Sequence, residues 1–241
     1  MQIIISPAKE MNLVHPLAQD WQLSAESQEI VTHLKNLSPS ELKKAFKIND
    51  SLLTENLAFI RAFDQTITYK AIDMYHGLAY RWMDLDALDQ TALTYLDDHL
   101  TILSALYGPV PANQAIKPYR LDFTTSLKLG KKSLKAYWKP VYNKTFTKGE
   151  TILNLASDEF SSLFKQTDYQ WIDFEFQELK EGKVKKHSTI SKKGRGRMVK
   201  FLAQHQIVDL AKIKDFSEDG YYYKADLSKP DLFVFERLAD N

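Results

Sequence analysis

Four cations stand among six consecutive residues at Lys192-Lys193-Gly194-Arg195-Gly196-Arg197. Glycines let a backbone approach a bound group closely, and positive charges packed this densely repel one another unless an anion answers them. The run therefore reads as an anion site that opens a helix from Met198 to Gln204, with Lys200 one turn further on. A solvated basic loop is the plainer alternative. Three other segments have the residue types for chemistry. Ser6-Pro7-Ala8-Lys9 follows the apolar run Ile3-Ile4-Ile5, so Lys9 stands at the mouth of a buried strand. In Lys117-Pro118-Tyr119-Arg120-Leu121-Asp122 an extended chain puts Tyr119 and Leu121 on one face and Arg120 and Asp122 on the other. An arginine held this way can clamp a phosphate through its planar fork. In Asn154-Leu155-Ala156-Ser157-Asp158-Glu159 polar groups end an apolar strand and open a helix, where free N–H groups favour an anion. Ser157 as a simple N-cap, with Asp158 and Glu159 complementing the helix dipole, explains the same pattern.

Other chemistries lack their residues. There is no cysteine, which removes disulfides, thiol catalysis and Cys-based metal sites. The six histidines never stand closer than eighteen positions, so no local histidine metal motif exists and no metal or cofactor is expected. No P-loop, dinucleotide fingerprint or nucleophile elbow is present.

The elements that must position these groups follow from pattern. Gln2 to Ser6 and Thr151 to Ala156 read as buried strands, Gln170 to Leu179 alternates as a strand, and Asp231 to Arg237 is a last one. Lys70 to Tyr75 fits a strand, and Leu100 to Leu106 fits a strand or a buried helix. Lys180-Glu181-Gly182-Lys183 is a turn leading to a strand that ends near Ser191. Ser24 to Leu37, the capped run after Ser38-Pro39-Ser40-Glu41, the run after Asp50, and Ser133 to Phe146 read as helices. Strands and helices mingle without a βαβ rhythm, which points to an α+β fold with a mixed sheet and surrounding helices. With 241 residues and no linker-like stretch, one domain over residues 1–241 is expected. No apolar stretch approaches a membrane span, and the N-terminal run is too short for a signal peptide, so a cytoplasmic chain with no membrane partner is expected.

The formal net charge of +1 conceals segregation. Residues 128–148 carry seven lysines and no acid, and residues 178–200 carry nine basic residues against Glu178 and Glu181. Such segments create a local positive field on a nearly neutral chain and suit a phosphate-bearing partner.

Taken in order, Ile5-Ser-Pro-Ala-Lys9, Tyr75-His-Gly-Leu78, Leu103-Ser-Ala-Leu-Tyr-Gly108, Pro118-Tyr-Arg-Leu121, Tyr137-Trp138, Asn154 to Glu159, Lys192 to Gly196, Gly220-Tyr221 and Phe235-Glu-Arg237 span nearly the whole chain. This succession resembles the YaaA family of bacterial peroxide stress proteins. Val110 to Gln114 departs from it, lacking an arginine and an aspartate that the family usually has after Tyr-Gly. The resemblance implies an unusual mixed α/β fold with a positively charged cleft, protection against peroxide that includes limiting free iron, and DNA binding with a helix-hairpin-helix-like element. Leu100 to Gln114, with Gly108 in the hairpin, is the candidate for that element, although Pro109 and Pro111 each remove a backbone donor.

Two functions are carried forward. In the first the chain binds double-stranded DNA with little sequence preference, through phosphate contacts from Lys9, Arg120, Lys192, Lys193, Arg195, Arg197 and Lys200. In the second it is an enzyme acting on a phosphorylated or nucleotide-like small molecule, with Tyr75, Asp122, Asn154, Ser157 and Glu159 in a pocket beside those cations and Glu159 or Asp122 supplying acid–base chemistry. A small cavity that gathers these residues favours the second, and a long open groove lined by lysines favours the first.

Overall fold

The computed structural model describes residues 1–18 and 22–239. Its centre is one eight-stranded mixed sheet in an α+β arrangement. Across the sheet the strands run Tyr222–Tyr223, Leu232–Leu238, Gln170–Lys180, Thr151–Leu155, Gln2–Ile5, Leu100–Ser104 and Gly108–Pro111, with Lys183–Lys185 paired to the far end of Gln170–Lys180. The five inner strands are parallel, and the outer ones pair antiparallel. Parallel strands are covered on both faces, which is why Ile3-Ile4-Ile5 and Ile152-Leu153 are unbroken apolar runs of fully buried residues. Each such side chain contributes about 1.5–3 kcal/mol on burial. The register sets Ile5 level with Leu155 on one side and Ile102 on the other, so the chain leaves neighbouring strands side by side at one edge.

Several local expectations are revised. The segment from Lys192 to Arg197 is no loop; it lies inside a helix that runs from Ser188 to Gln204. Its glycines serve packing. A Cβ at Gly194 would stand 2.2 Å from the Phe176 ring, and one at Gly196 would stand 2.1 Å from the Ala79 carbonyl oxygen. Both are closer than any real contact, so the helix can approach the sheet and the helix Leu78–Met83 only without those side chains. The segment Leu100 to Gln114 forms a β-hairpin, strands Leu100–Ser104 and Gly108–Pro111, and not two helices. Its residues from Leu100 to Ser104 are all buried in the sheet, where an apolar run of strand length serves as well as a helix. Of Lys70 to Tyr75 only Lys70 is strand, the end of Ile67–Lys70; Ala71–Met74 is a helical turn. The strand expected to reach Ser191 stops at Lys185, because the following helix begins at Ser188. Pro140 is accommodated inside the helix Leu134–Tyr142. No helix among the described residues is long and apolar enough to cross a membrane.

The glycine packing is directly testable. Gly→Ala in an open helix gains about 1 kcal/mol of propensity, whereas overpacking against a backbone carbonyl costs about 1–3 kcal/mol or more. Gly196→Ala should therefore lower the urea midpoint despite its better helix propensity, while Lys183→Ala on the exposed edge strand should leave it within experimental error.

Candidate functional site

Beyond the carboxyl ends of Gln2–Ile5 and Thr151–Leu155 lies the kind of crevice that parallel strands leave open to ligands. The turn after the first strand brings Ser6 to Glu10 to it, and the turn after the other brings Ser157, Glu159 and Phe160. Tyr119 to Asp122 form a further wall, Gly77 to Arg81 another, and the Ser188–Gln204 helix presents Thr189, Lys192 and Arg195. Together they enclose about 430 Å³, the size of a small-ligand pocket.

Serine pairing holds the two strand ends together. The Ser157 backbone N–H donates to Ser6 Oγ at 2.8 Å, and the two hydroxyls stand 3.1 Å apart. Ser157 does begin the short helix Asp158–Ser161, but its hydroxyl bonds Ser6 and makes no cap bond. Tyr80 donates its hydroxyl to the Ser6 carbonyl at 3.0 Å and so ties in the third wall. The Tyr119–Asp122 segment keeps the expected alternation, with Tyr119 and Leu121 buried and Arg120 and Asp122 half-buried. Its anchor is a buried hydroxyl network: Tyr119 lies 2.7 Å from Ser104 Oγ and 2.8 Å from the Tyr75 hydroxyl. Tyr75 thus supports the pocket from beneath and does not line it. Asn154 also sits behind it, donating to Asp173 at 2.7 Å and accepting from the Ala156 N–H at 3.0 Å.

The charges inside differ in how they are answered. Lys9 pairs with Asp122 at 2.8 Å, so the aspartate bonds a different cation from its neighbour Arg120. Burial pushes the Asp122 carboxyl up, but bonds from Lys9 and Thr124 outweigh it and hold the group below its ordinary value. Glu159 goes the other way. Burial raises it, the adjacent Asp122 adds to the rise, and the Phe123 N–H that donates to Oε1 at 2.9 Å offsets only part. The two neighbouring carboxyls are thus shifted in opposite directions by their surroundings. Arg81, at the rim, pairs with Glu10.

Arg195 has no such answer. It makes no hydrogen bond or ion pair to any described residue, and its Nε is buried and unpartnered. Burial depresses its proton affinity, while Asp158 and Asp173 act only through their fields. Asp173 Oδ1 already accepts from Asn154 and from Trp171 Nε1 at 2.9 Å. Arg120 and Lys192 likewise reach the pocket without bonding a described residue. Helical geometry separates the remaining cations of the cluster. Positions 189, 192 and 195 share the pocket face, and 193, 197 and 200 share another. Lys193 and Arg197 each lie 4.6 Å from the Trp82 ring centre, Arg197 bonds Asp219 at 2.8 Å, and the buried Lys200 bonds Asp84 at 2.7 Å. Of residues 128–148, Lys135 is near enough for its charge to act on Glu159. Trp138 is a core residue, fully buried and bonded to the Ala105 carbonyl.

Sequence reasoning did not single out Thr189, Tyr80 or Arg81. Their one signal was position, Thr189 three residues before the basic run and Tyr80 and Arg81 three and four after Gly77. Among the described residues no group of three or more His, Asp or Glu side chains is arranged to hold a metal ion.

The family model described as peroxide stress protein YaaA matches residues 1–227. The chain belongs to that family. Relatives include UPF0246 proteins of Streptococcus pneumoniae strain CGSP14 and of serotype 19F strain G54, each 37% identical over 238 residues, covering 98% of this chain and 98% of the relative. Of the segments that carry the resemblance, Ile5 to Lys9, Gly77-Leu78, Tyr119 to Leu121, the Ser157–Glu159 turn and the Lys192–Arg195 run contribute residues to the pocket.

The carboxyl pair gives a pH test with a definite sign. The folded chain favours protonated Glu159, so its contribution to stability is full below the ordinary value of 4.5 and is lost as pH rises through the raised one. Glu159→Gln keeps an acceptor for Phe123 and removes that slope. Its stability relative to wild type, measured by urea unfolding, should be higher at pH 7 than at pH 4. Carboxyl-carbon NMR titration should place Glu159 above, and Asp122 below, their ordinary values.

Proposed function

We propose that this member of the peroxide stress family acts by binding phosphate groups of DNA, with Arg195 as the anchor and Arg120, Lys192 and Lys9 beside it. The observation that carries this reading is Arg195 at the pocket wall, a half-buried side chain whose buried Nε has no partner among the described residues. A buried donor on a charged group that is left without an acceptor is costly, and a bound phosphate oxygen would supply the missing acceptor. The exposed lysines of residues 128–148 extend positive charge beyond the pocket, Lys135 nearest. Lys193, Arg197 and Lys200 are engaged with Trp82, Asp219 and Asp84 and contribute through the field they add. Contacts of this kind read phosphates and not base edges, so binding has little sequence preference. Protection of DNA from iron-driven radicals would follow from covering it, in a cytoplasmic setting.

A second reading, an enzyme on a phosphorylated or nucleotide-like substrate, is favoured by the small cavity of about 430 Å³ that gathers Ser157, Glu159 and Asp122 with the cations, the arrangement expected for an enzyme rather than for a long lysine-lined groove. Arginines would hold the phosphate, and Glu159 would carry the proton.

Fluorescence anisotropy of a labelled duplex across a salt series tests the first reading. The log of affinity should fall linearly with log salt, with a slope near −0.9 for each phosphate engaged. Arg195→Ala should weaken binding by about tenfold, the size of one charge-assisted contact. No binding at low salt, or an Arg195→Ala variant indistinguishable from wild type, would remove the phosphate reading.

A further inference from the structure

The pocket cations that no described residue answers are Arg120, Lys192 and Arg195; Lys9 and Arg81 are already paired. Three uncommitted cations exceed what one internal phosphodiester needs, since that group carries a single negative charge and two free oxygens. A terminal phosphate carries about −1.5 to −2 and offers three strong acceptor oxygens. The space points the same way. At about 430 Å³ the cavity holds one small molecule, and Arg195, whose Nε is buried, is part of its lining. A phosphate flanked by chain on both sides reaches Arg195 only by bringing its two neighbouring nucleotides to the pocket mouth, whereas a terminal one enters more deeply with nothing ahead of it. Beside the cations stand acceptors. Glu159 uses only Oε1 on the Phe123 N–H, so its other oxygen is free for a ligand. The cavity therefore offers cations for a phosphate and a carboxyl group for a hydroxyl or amino group attached near it. Apolar surface from Pro7, Leu78 and Phe160 remains for a flat ring.

We propose that the pocket recognises the terminal phosphate of a nucleotide, with Arg195, Arg120 and Lys192 on the phosphate and Glu159 on a hydroxyl or amino group of the same nucleotide. This rests on the reading of Arg195 as a phosphate anchor and narrows what that anchor selects. The nucleotide can stand free or at the 5′ end of a strand, because the chemistry presented to the pocket is the same.

Two 3′-labelled single strands of one sequence, with a 5′-phosphate or a 5′-hydroxyl, separate these possibilities in an anisotropy titration of the full chain. The 5′-phosphate strand should bind about tenfold tighter, and adenosine 5′-monophosphate should compete where adenosine does not. Competition by the monophosphate without any strand preference also supports the site and assigns it to free nucleotides. Arg195→Ala should abolish the discrimination. Arg120→Ala, at a half-buried position, should reduce it and guards against a folding defect in the first variant. Equal binding of both strands, with no competition by the monophosphate and a persisting loss in Arg195→Ala, would overturn terminal recognition and leave the phosphate anchor standing. Loss of no binding at all in Arg195→Ala would overturn both.

Discussion

The Ser188–Gln204 helix occupies its place only because positions 194 and 196 carry no side chain. At Gly196 the neighbour is a backbone carbonyl, which cannot swing aside as a side chain would. That contact fixes the helix against Leu78–Met83 while Gly194 seats it on Phe176 of the sheet. The consequence for function is rotational. With the glycines turned inward, Arg195 falls between them on the flank that faces the strand ends, and Lys192 lies one turn before it on the same side. A basic run that would spread its charge in every direction as a loop is sorted by the helix into one face for the pocket and one for internal partners.

The remaining walls are fixed by hydrogen bonds made by serine and tyrosine hydroxyls, with the tyrosines buried. Ser6 and Ser157 clasp two parallel strand ends, and Tyr80 joins the clasp from the helix packed against Gly196. Tyr75, Ser104 and Tyr119 hold the segment that carries Arg120 and Asp122. Preorganised groups of this kind do not need to move when a ligand arrives, which is what lets a buried charge act on it. Electrostatics then differentiates the site. Lys9 neutralises Asp122, burial raises the proton affinity of Glu159, and among the described pocket residues Arg195 keeps an unanswered buried donor.

Much of the candidate pocket's lining was legible in the sequence, because strand ends and alternation are local properties. Ser6 to Lys9 after the isoleucines, the outward phase of Arg120 and Asp122, and the polar turn at Ser157 all depend on the residues beside them. The mixed α+β sheet was legible for a similar reason, through strands and helices without a regular alternation. What escaped depends on distant partners. The glycines of 194 and 196 look like loop residues until Phe176 and Ala79 are known to lie against them. Leu100 to Ser104 has no periodicity of its own to separate strand from helix, and only its pairing with Gln2–Ile5 decides. Asn154 and Tyr75 carry the right groups but face backwards into the support.

The unanswered charge of Arg195 is the centre of this account, and the Arg195 Nε–H resonance reports on it directly. Inorganic phosphate titrated into labelled protein and followed in the arginine side-chain region should move that resonance along a saturable curve, with Arg120 following. Shifts confined to exposed lysines, with Arg195 unmoved at every concentration, would contradict it.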